Sequence, residues 1–547
     1  MRKYLYEVRF LILIQIICDA VVTLTVALGP YLQKLLFDTV LKENKTCLSF
    51  IHLILIYIFC NLIGTIFFYL SMIYNFKCSL KFEMSLKRDF FKSVFNYNYE
   101  DFSSRDIGEY ISIQGNDILN LEMDYLTPII TIIKAINMLI VYGIILFVYV
   151  DFRIATTIVL ISCIAILIPK LTSCTLSKKR NNYLNEMGLY VSKITDFLQG
   201  FKLINSRTIN KINAEHEKAL KNVKDKRFIY GKFKSFTYSL SELLLNILNA
   251  ATFIIVGMLL FNRKISIGTA VATFGYVNCF VSPLNDILYS INSISSLKDT
   301  KNKVIDYINN YKSTTLKYKN EFKKHIVFDH VNFSYNKFNI DDICCKFEKG
   351  KKYAIIGHSG SGKSTLINMI MKYTKPLSGK ILIDEENVLD LNMDNIVCTI
   401  NQHEHIFKDD FYNNTTLFSS YPKENLNYVM EKFKCGIFNR IKSEPYSNSL
   451  SGGEKQVLAF IRMLTSKSPI CIMDEPFSAL DVNTTKLLQH NLLKMKDKTV
   501  IIVTHDLSET LEEFDKIILM ENGKIIEIGD YEEICKSDVF KELKRII

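Results

Sequence analysis

The chain has 547 residues, a formal net charge of +11, 49% hydrophobic residues and a mean hydropathy of +0.13. So basic a chain would suit nucleic acid, but its Lys and Arg cluster between long apolar runs, where a membrane protein keeps positive charge, and this argues against a nucleic-acid partner. The 13 Cys show no metal-ligand spacing, which argues against a sequence-evident metal centre.

Arg2 and Lys3 precede a long apolar run that ends without a small-residue cleavage site, so this run is expected to remain as a first span. Six spans of bilayer length follow one another at 10–32, 50–74, 128–150, 155–176, 238–261 and 267–291. Spans three and four are joined only by Asp151, Phe152 and Arg153. Cys18, Cys60, Cys163 and Cys279 lie in these runs and read as small buried hydrophobes in a reducing compartment. With no Trp in the chain, anchoring at the membrane interface falls to Tyr and Phe. Asp19 in span one and Lys134 in span three are ionisable. Such groups face a cavity or a partner, or else lie near an interface and reach to it.

The loops after spans one, three and five are short, and those after spans two and four are long and basic. Lys77, Lys81, Lys87, Arg88, Lys92 and Arg105 mark the first long loop, and Lys178, Lys179, Arg180, Lys202 and Arg207 are among those in the second. The charge bias places both long loops and both termini in the cytoplasm of a multi-pass cell-membrane protein. Helical periodicity carries the spans outward into these loops. A polar stretch at 298–324 then reads as a linker, giving a membrane domain at 1–297 and a second domain at 325–547.

In the second domain the apolar runs shorten to strand length at 353–356, 470–473 and 500–503 and alternate with helical patterns, predicting an α/β domain with a largely parallel, buried sheet. Cys344 and Cys345 are adjacent in an expected strand, which is poor geometry for a metal pair.

Gly357-His358-Ser359-Gly360-Ser361-Gly362-Lys363-Ser364, followed by Thr365, fits the P-loop pattern between a strand and an apolar helix starting near Ser364. Glycines let backbone N–H groups approach phosphate oxygens, and the helix N-terminus favours an anion. Lys363 supplies positive charge to the β- and γ-phosphates of ATP, and Ser364 a hydroxyl to Mg²⁺. His358 stands at a variable position and contributes only its backbone. A second apolar strand delivers Asp474 and Glu475 at its end. Asp474 is placed to hold Mg²⁺ and Glu475 to orient and polarise an attacking water.

Leu450-Ser451-Gly452-Gly453-Glu454 resembles the signature of the ATP-binding-cassette family, with Glu454 where Gln is commoner. The resemblance covers essentially the whole chain, because six spans before a single cassette is the layout of an exporter half-transporter. It implies an all-α polytopic membrane domain of six transmembrane helices followed by an α/β P-loop NTPase domain. It also implies roles for further residues. Tyr335 resembles the aromatic that stacks on adenine, and Gln402 the glutamine that reaches Mg²⁺. Ser451, Gly452 and Gly453 would bind the γ-phosphate held by the opposite subunit. Asp481, in Ser478-Ala479-Leu480-Asp481, lies in the loop that crosses the dimer interface, and His505 would contact γ-phosphate. Two departures stand out: the stretch 402–450 is short for an exporter, and Ser443-Glu444-Pro445-Tyr446-Ser447 replaces the usual segment before the signature.

The expected function is therefore ATP-driven export by alternating access of a dimer, with a peptide, lipid or drug-like amphiphile as cargo. Coupling is expected at the loop tips 102–114 and 197–207. The alternative is a weakly hydrolysing regulatory subunit of a heterodimer. An ATP-gated channel is disfavoured because no long regulatory insertion is visible. No peptidase-like segment precedes span one, so built-in leader cleavage is not expected.

Overall fold

The computed structural model describes residues 1–41, 47–149, 152–309, 316–335, 338–402, 404–433, 436–443 and 450–546. The chain divides into two compact units. One comprises Met1–Tyr97 and Arg105–Lys312, the other Asn98–Ser104 and Ser313–Ile547.

In the first unit six long helices carry the six apolar segments: Arg2–Leu41, Cys47–Val94, Thr127–Tyr149, Phe152–Gln199, Ile209–Phe261 and Ile267–Ser296. Three of them, Cys47–Val94, Phe152–Gln199 and Ile209–Phe261, run on into the long loops, as the periodicity there predicts. Among the described residues, Arg2–Asp38, Phe50–Val94, Ile107–Ile145 and Ile267–Ser296 are long and apolar enough to cross a membrane. The fifth segment keeps an apolar run at Asn249–Phe261. Most side chains of the fourth segment, 155–176, and residues 150 and 151 lie outside the described residues.

Apolar side chains such as Phe59, Leu62, Ile66 and Met72 on the second helix are bare, a surface that suits lipid rather than water. Inside, Ala27, Tyr142, Ala272, Tyr276 and Leu284 form a shared core. Small residues bring helices close: a Cβ on Gly275 would meet Pro30 Cγ at 3.0 Å, and one on Gly64 would meet Thr25 Oγ1 at 2.7 Å. The start of the expected linker is ordered. Lys298–Asn309 is a helix burying Val304 and Tyr307. Ser93 Oγ donates to Tyr307 O at 2.8 Å, and Lys303 lies 3.1 Å from Glu109. Two apolar residues at helical spacing gave that stretch a face to bury, despite its polar composition.

The second unit holds a six-stranded sheet in the order Lys524–Gly529, Lys516–Glu521, Lys352–Gly357, Thr499–Val503, Ile470–Asp474 and Val397–Ile400. Every pairing is parallel except that of the first two. Successive side chains feed cores on opposite faces: Ala354, Ile356, Cys471 and Met473 on one, Tyr353, Ile355, Ile470 and Ile472 on the other. Burial on both faces is why these strands read as unbroken apolar runs. A separate antiparallel sheet of four strands, ordered Phe338–Glu348, His325–Tyr335, Ser378–Ile383 and Glu386–Asn387, was not legible as such in the sequence. The segment Asn98–Ser104 groups with this unit. Tyr99 packs on Tyr373 with ring centroids 4.4 Å apart, and Glu100 lies 3.4 Å from Lys375.

Candidate functional site

The loop after the strand Lys352–Gly357 bends through three left-handed glycines, Gly357 (φ +151°), Gly360 (φ +78°) and Gly362 (φ +103°). A Cβ on Gly357 would lie 2.1 Å from Met520 O, so no other residue fits there. His358 and Ser359 complete the turn, and the helix Lys363–Ile370 begins at once, with Lys363, Ser364 and Thr365 in its first turn. Lys363 is only 5% exposed, and its ammonium donates to Gly357 O at 2.8 Å and His358 O at 2.9 Å. Burial pushes its pKa down from the ordinary lysine value, while Glu475 and Asp474 pull the other way.

Asp474 ends the strand Ile470–Asp474, and its carboxylate is hydrogen-bonded to Ser364. Burial raises the Asp474 pKa above the usual carboxylate value. The Ser364 bond, Lys363 and His505 oppose that rise, and Glu475 adds to it. Glu475 stands in the left-handed region at φ +47°, and its N–H donates to Val503 O at 3.0 Å. This turn leaves its carboxylate between two partners: Gln402 Nε2 donates to Oε2 at 3.1 Å, and His505 Nε2 lies 3.0 Å from Oε1. The three residues follow three neighbouring strands, Val397–Ile400, Ile470–Asp474 and Thr499–Val503.

Tyr335 ends its strand, but its side chain, like His403 and residues 444–449 before the signature, lies outside the described residues. His405 is exposed, with its ring 5.1 Å from that of Phe407. Ser451 caps the helix Gly452–Thr465 in a capping box with Glu454. A Cβ on Gly453 would lie 2.7 Å from Ala479 O, so the signature glycine admits close packing of the following loop. Asp481 caps the helix Val482–Leu493 by accepting from Thr484 N at 3.0 Å.

Two residues that follow the signature in the sequence, and to which no role was assigned there, are positioning residues. Gln456 ties the signature helix to the 478–481 loop, donating to Ser478 Oγ and accepting from Ala479 N, both at 3.0 Å. Arg462 donates to Asn414 O at 2.8 Å and His405 O at 3.0 Å and lies 3.6 Å from Glu404, bracing the chain just beyond Gln402. Its place about three turns into an apolar helix was the available signal. In the membrane unit, Asp19 and Lys134 come together at 3.4 Å, and Ser71 donates to the same Asp19 oxygen at 2.7 Å. Asp19 is 1% exposed and Lys134 27%, so the buried carboxylate faces a charged partner.

These residues fit a magnesium nucleotide. The Ser361 hydroxyl is buried without a hydrogen-bond partner beside backbone that only glycine can form. The Ser364 hydroxyl and Asp474 carboxylate are hard oxygen donors of the kind Mg²⁺ takes.

Comparison with known proteins gives the following matches. A family model described as ABC transporter transmembrane region matches residues 12–284, and one described as ABC transporter matches residues 340–478. The mesentericin-Y105 transport/processing ATP-binding protein MesD of Leuconostoc mesenteroides is 27% identical over 565 aligned positions, covering 97% of this chain and 76% of that protein. A Staphylococcus aureus (strain COL) relative with a multidrug export name, SACOL1924, is 36% identical over 239 positions, 40% of this chain and 41% of its own length. The fold of an ATP-bound bacterial Atm1-family ABC exporter superposes with a TM-score of 0.87 at 18% identity, covering 99% of this chain and 98% of that one.

Proposed function

Because this chain belongs to the ABC transporter family, with the transmembrane region and the ATP-binding domain in one polypeptide, we propose that it is an exporter half-transporter that couples ATP hydrolysis to outward movement of a cargo. The observation that carries this reading is the Glu475 carboxylate held between Gln402 and His505 beside the P-loop lysine. Glu475, fixed at both oxygens, orients the attacking water and takes its proton. Lys363 gives up carbonyl partners to phosphate oxygens, and the backbone of 357–362 with the Ser361 hydroxyl cradles them. Ser364, Gln402 and Asp474 would hold Mg²⁺, which when bound neutralises charge on the β- and γ-phosphates. Tyr335 is proposed to stack on adenine and His505 to reach γ-phosphate.

The working unit is proposed to be a dimer. Ser451, Gly452 and Gly453 would complete the site of the opposite cassette, with Asp481 in the loop between. Leu198, Phe201 and Leu203 at a loop tip are bare at 68–77% exposure, an apolar surface that suits cover by a second chain. The proposed orientation has both termini and the cassette in the cytoplasm. The proposed cargo is a peptide, lipid or drug-like amphiphile, in keeping with the transport names of both relatives. One observation favours the second reading, a weakly hydrolysing subunit of a heterodimer: the Glu454 carboxylate engages the Ser451 hydroxyl itself.

The test is ATP hydrolysis and uptake of a fluorescent amphiphile by inverted lipid vesicles containing the purified chain. Glu475→Gln is expected to keep nucleotide binding and slow hydrolysis about 10²–10⁴-fold. Lys363→Ala is expected to weaken nucleotide binding. Mixing Lys363→Ala with Ser451→Ala chains should restore part of the turnover that each lacks alone. Wild-type turnover in Glu475→Gln would sink the proposed role. Mixed dimers that form but regain nothing would remove the shared site. Turnover only with a second, different chain would select the heterodimer.

A further inference from the structure

We propose that His330, Asp342 and Cys344, remote in role from the nucleotide residues, form a binding site for a divalent transition-metal ion of the zinc class. His330 Nδ1 lies 2.6 Å from Asp342 Oδ1 and 3.5 Å from Cys344 Sγ. All three ligand atoms fall within 4.8 Å of one another. An ion about 2.0–2.3 Å from each of a nitrogen, an oxygen and a sulfur sets those atoms roughly 3–4 Å apart in tetrahedral geometry. The His330–Cys344 separation already falls in that range, and the His330–Asp342 hydrogen bond opens by roughly half an ångström or more to admit the ion. A mixed nitrogen, oxygen and thiolate set selects a borderline ion, whereas Mg²⁺ and Ca²⁺ take oxygen alone.

The scaffold aims these side chains at one point. They stand on the paired antiparallel strands His325–Tyr335 and Phe338–Glu348, whose register shifts between Phe328 and Val331 and again between Val331 and Phe333. His330 occupies the first irregularity at φ +49°, and Asp342 lies in the second at φ +50°. A bulge of this kind re-aims a side chain that a regular strand would send elsewhere. Asn332 fixes both segments: its Nδ2 donates to His330 O at 3.2 Å, and its Oδ1 accepts from Asp342 N at 2.8 Å. Strand alternation sends Cys345 into the core and Cys344 outward. The outward thiol then meets the same imidazole nitrogen as the carboxylate. All three side chains are exposed, so solvent completes the coordination, as in sites with three protein ligands.

The experiment is a titration of the full-length chain in detergent micelles, without nucleotide, with Co²⁺ as the spectroscopic probe. A thiolate-to-cobalt charge-transfer band that Zn²⁺ bleaches is expected. Cys344→Ser should remove the band, and His330→Ala and Asp342→Ala should each weaken Co²⁺ binding by about tenfold or more. The exposed positions leave folding intact, which an unchanged melting temperature checks. The residues assigned to the nucleotide site include no thiol, so Co²⁺ there produces no such band. The proposal is overturned by absence of the band at millimolar Co²⁺ or by its survival in Cys344→Ser. Unchanged affinity in both His330→Ala and Asp342→Ala would equally overturn it, since a lone thiolate would then be the ligand.

Discussion

Glu454 Oε2 accepts both the backbone N–H of Ser451, at 2.8 Å, and its hydroxyl, at 2.9 Å. Ser451 Oγ in turn accepts from Glu454 N at 3.3 Å, and Arg440 Nε lies 3.1 Å from the other carboxylate oxygen. The residue that departs from the commoner signature thus serves as the far half of a helix cap.

Loss of that cap should be measurable. Glu454→Ala is expected to destabilise the cassette by about 1 kcal/mol, lowering its melting temperature by about 2–4 °C. Glu454→Gln keeps an acceptor for the Ser451 N–H and removes a negative charge beside the helix N-terminus proposed to bind phosphate. Its melting temperature should match wild type, with ATP turnover no lower. Slower turnover in the Gln variant would show that the carboxylate itself is needed.

Acid should loosen the start of the cassette through Asp384. Burial opposes ionisation there, but N–H groups of Lys323, Lys324 and His325 at 2.8, 2.6 and 3.3 Å, with Lys319 at 3.4 Å, outweigh it and hold the carboxyl below the usual range. The folded pKa is depressed. The stabilisation is therefore present above the unfolded value of about 3.9 and lost as pH falls through the folded one. Asp384→Asn is expected to cost about 2 kcal/mol at neutral pH and to flatten the fall in melting temperature on acidification. A variant with an unchanged acid profile would assign that sensitivity elsewhere.

Breaking the Asp19–Lys134 pair should hurt more than removing it. Asp19→Asn leaves the Lys134 charge inside the bundle without its carboxylate and is expected to cost about 1–3 kcal/mol, below the fully buried case because Lys134 is 27% exposed. Asp19→Asn with Lys134→Met should recover most of that loss in a thermal-unfolding double-mutant cycle. Additive losses would mean that the two charges do not stabilise one another.

Orientation can be read at Lys202, exposed in the turn Phe201–Leu203. A cysteine placed there in a Cys-depleted background is expected to resist an impermeant thiol reagent in sealed cells and to react once the membrane is opened. Labelling from outside would reverse the proposed topology.

Features that depend on chain-local pattern were legible before any fold was known. Hydropathy runs marked six helices because every backbone group in a bilayer must be paired within its own segment. The P-loop was legible because Gly357 to Thr365 act as one continuous turn and helix start, and the Asp474-Glu475 dipeptide because a buried strand must precede it. How distant residues meet depends on packing. Gln402 and His505 reach Glu475 because their strands are neighbours in a parallel sheet, an order set by crossover connections rather than by spacing along the chain. Asp19 meets Lys134 across two packed helices. Cys344 reads as an unpromising neighbour of Cys345 until strand alternation separates them and a bulge turns His330 toward the outer one. Backbone periodicity is written residue by residue, whereas register, bulges and strand order are settled by which surfaces the whole chain can bury together.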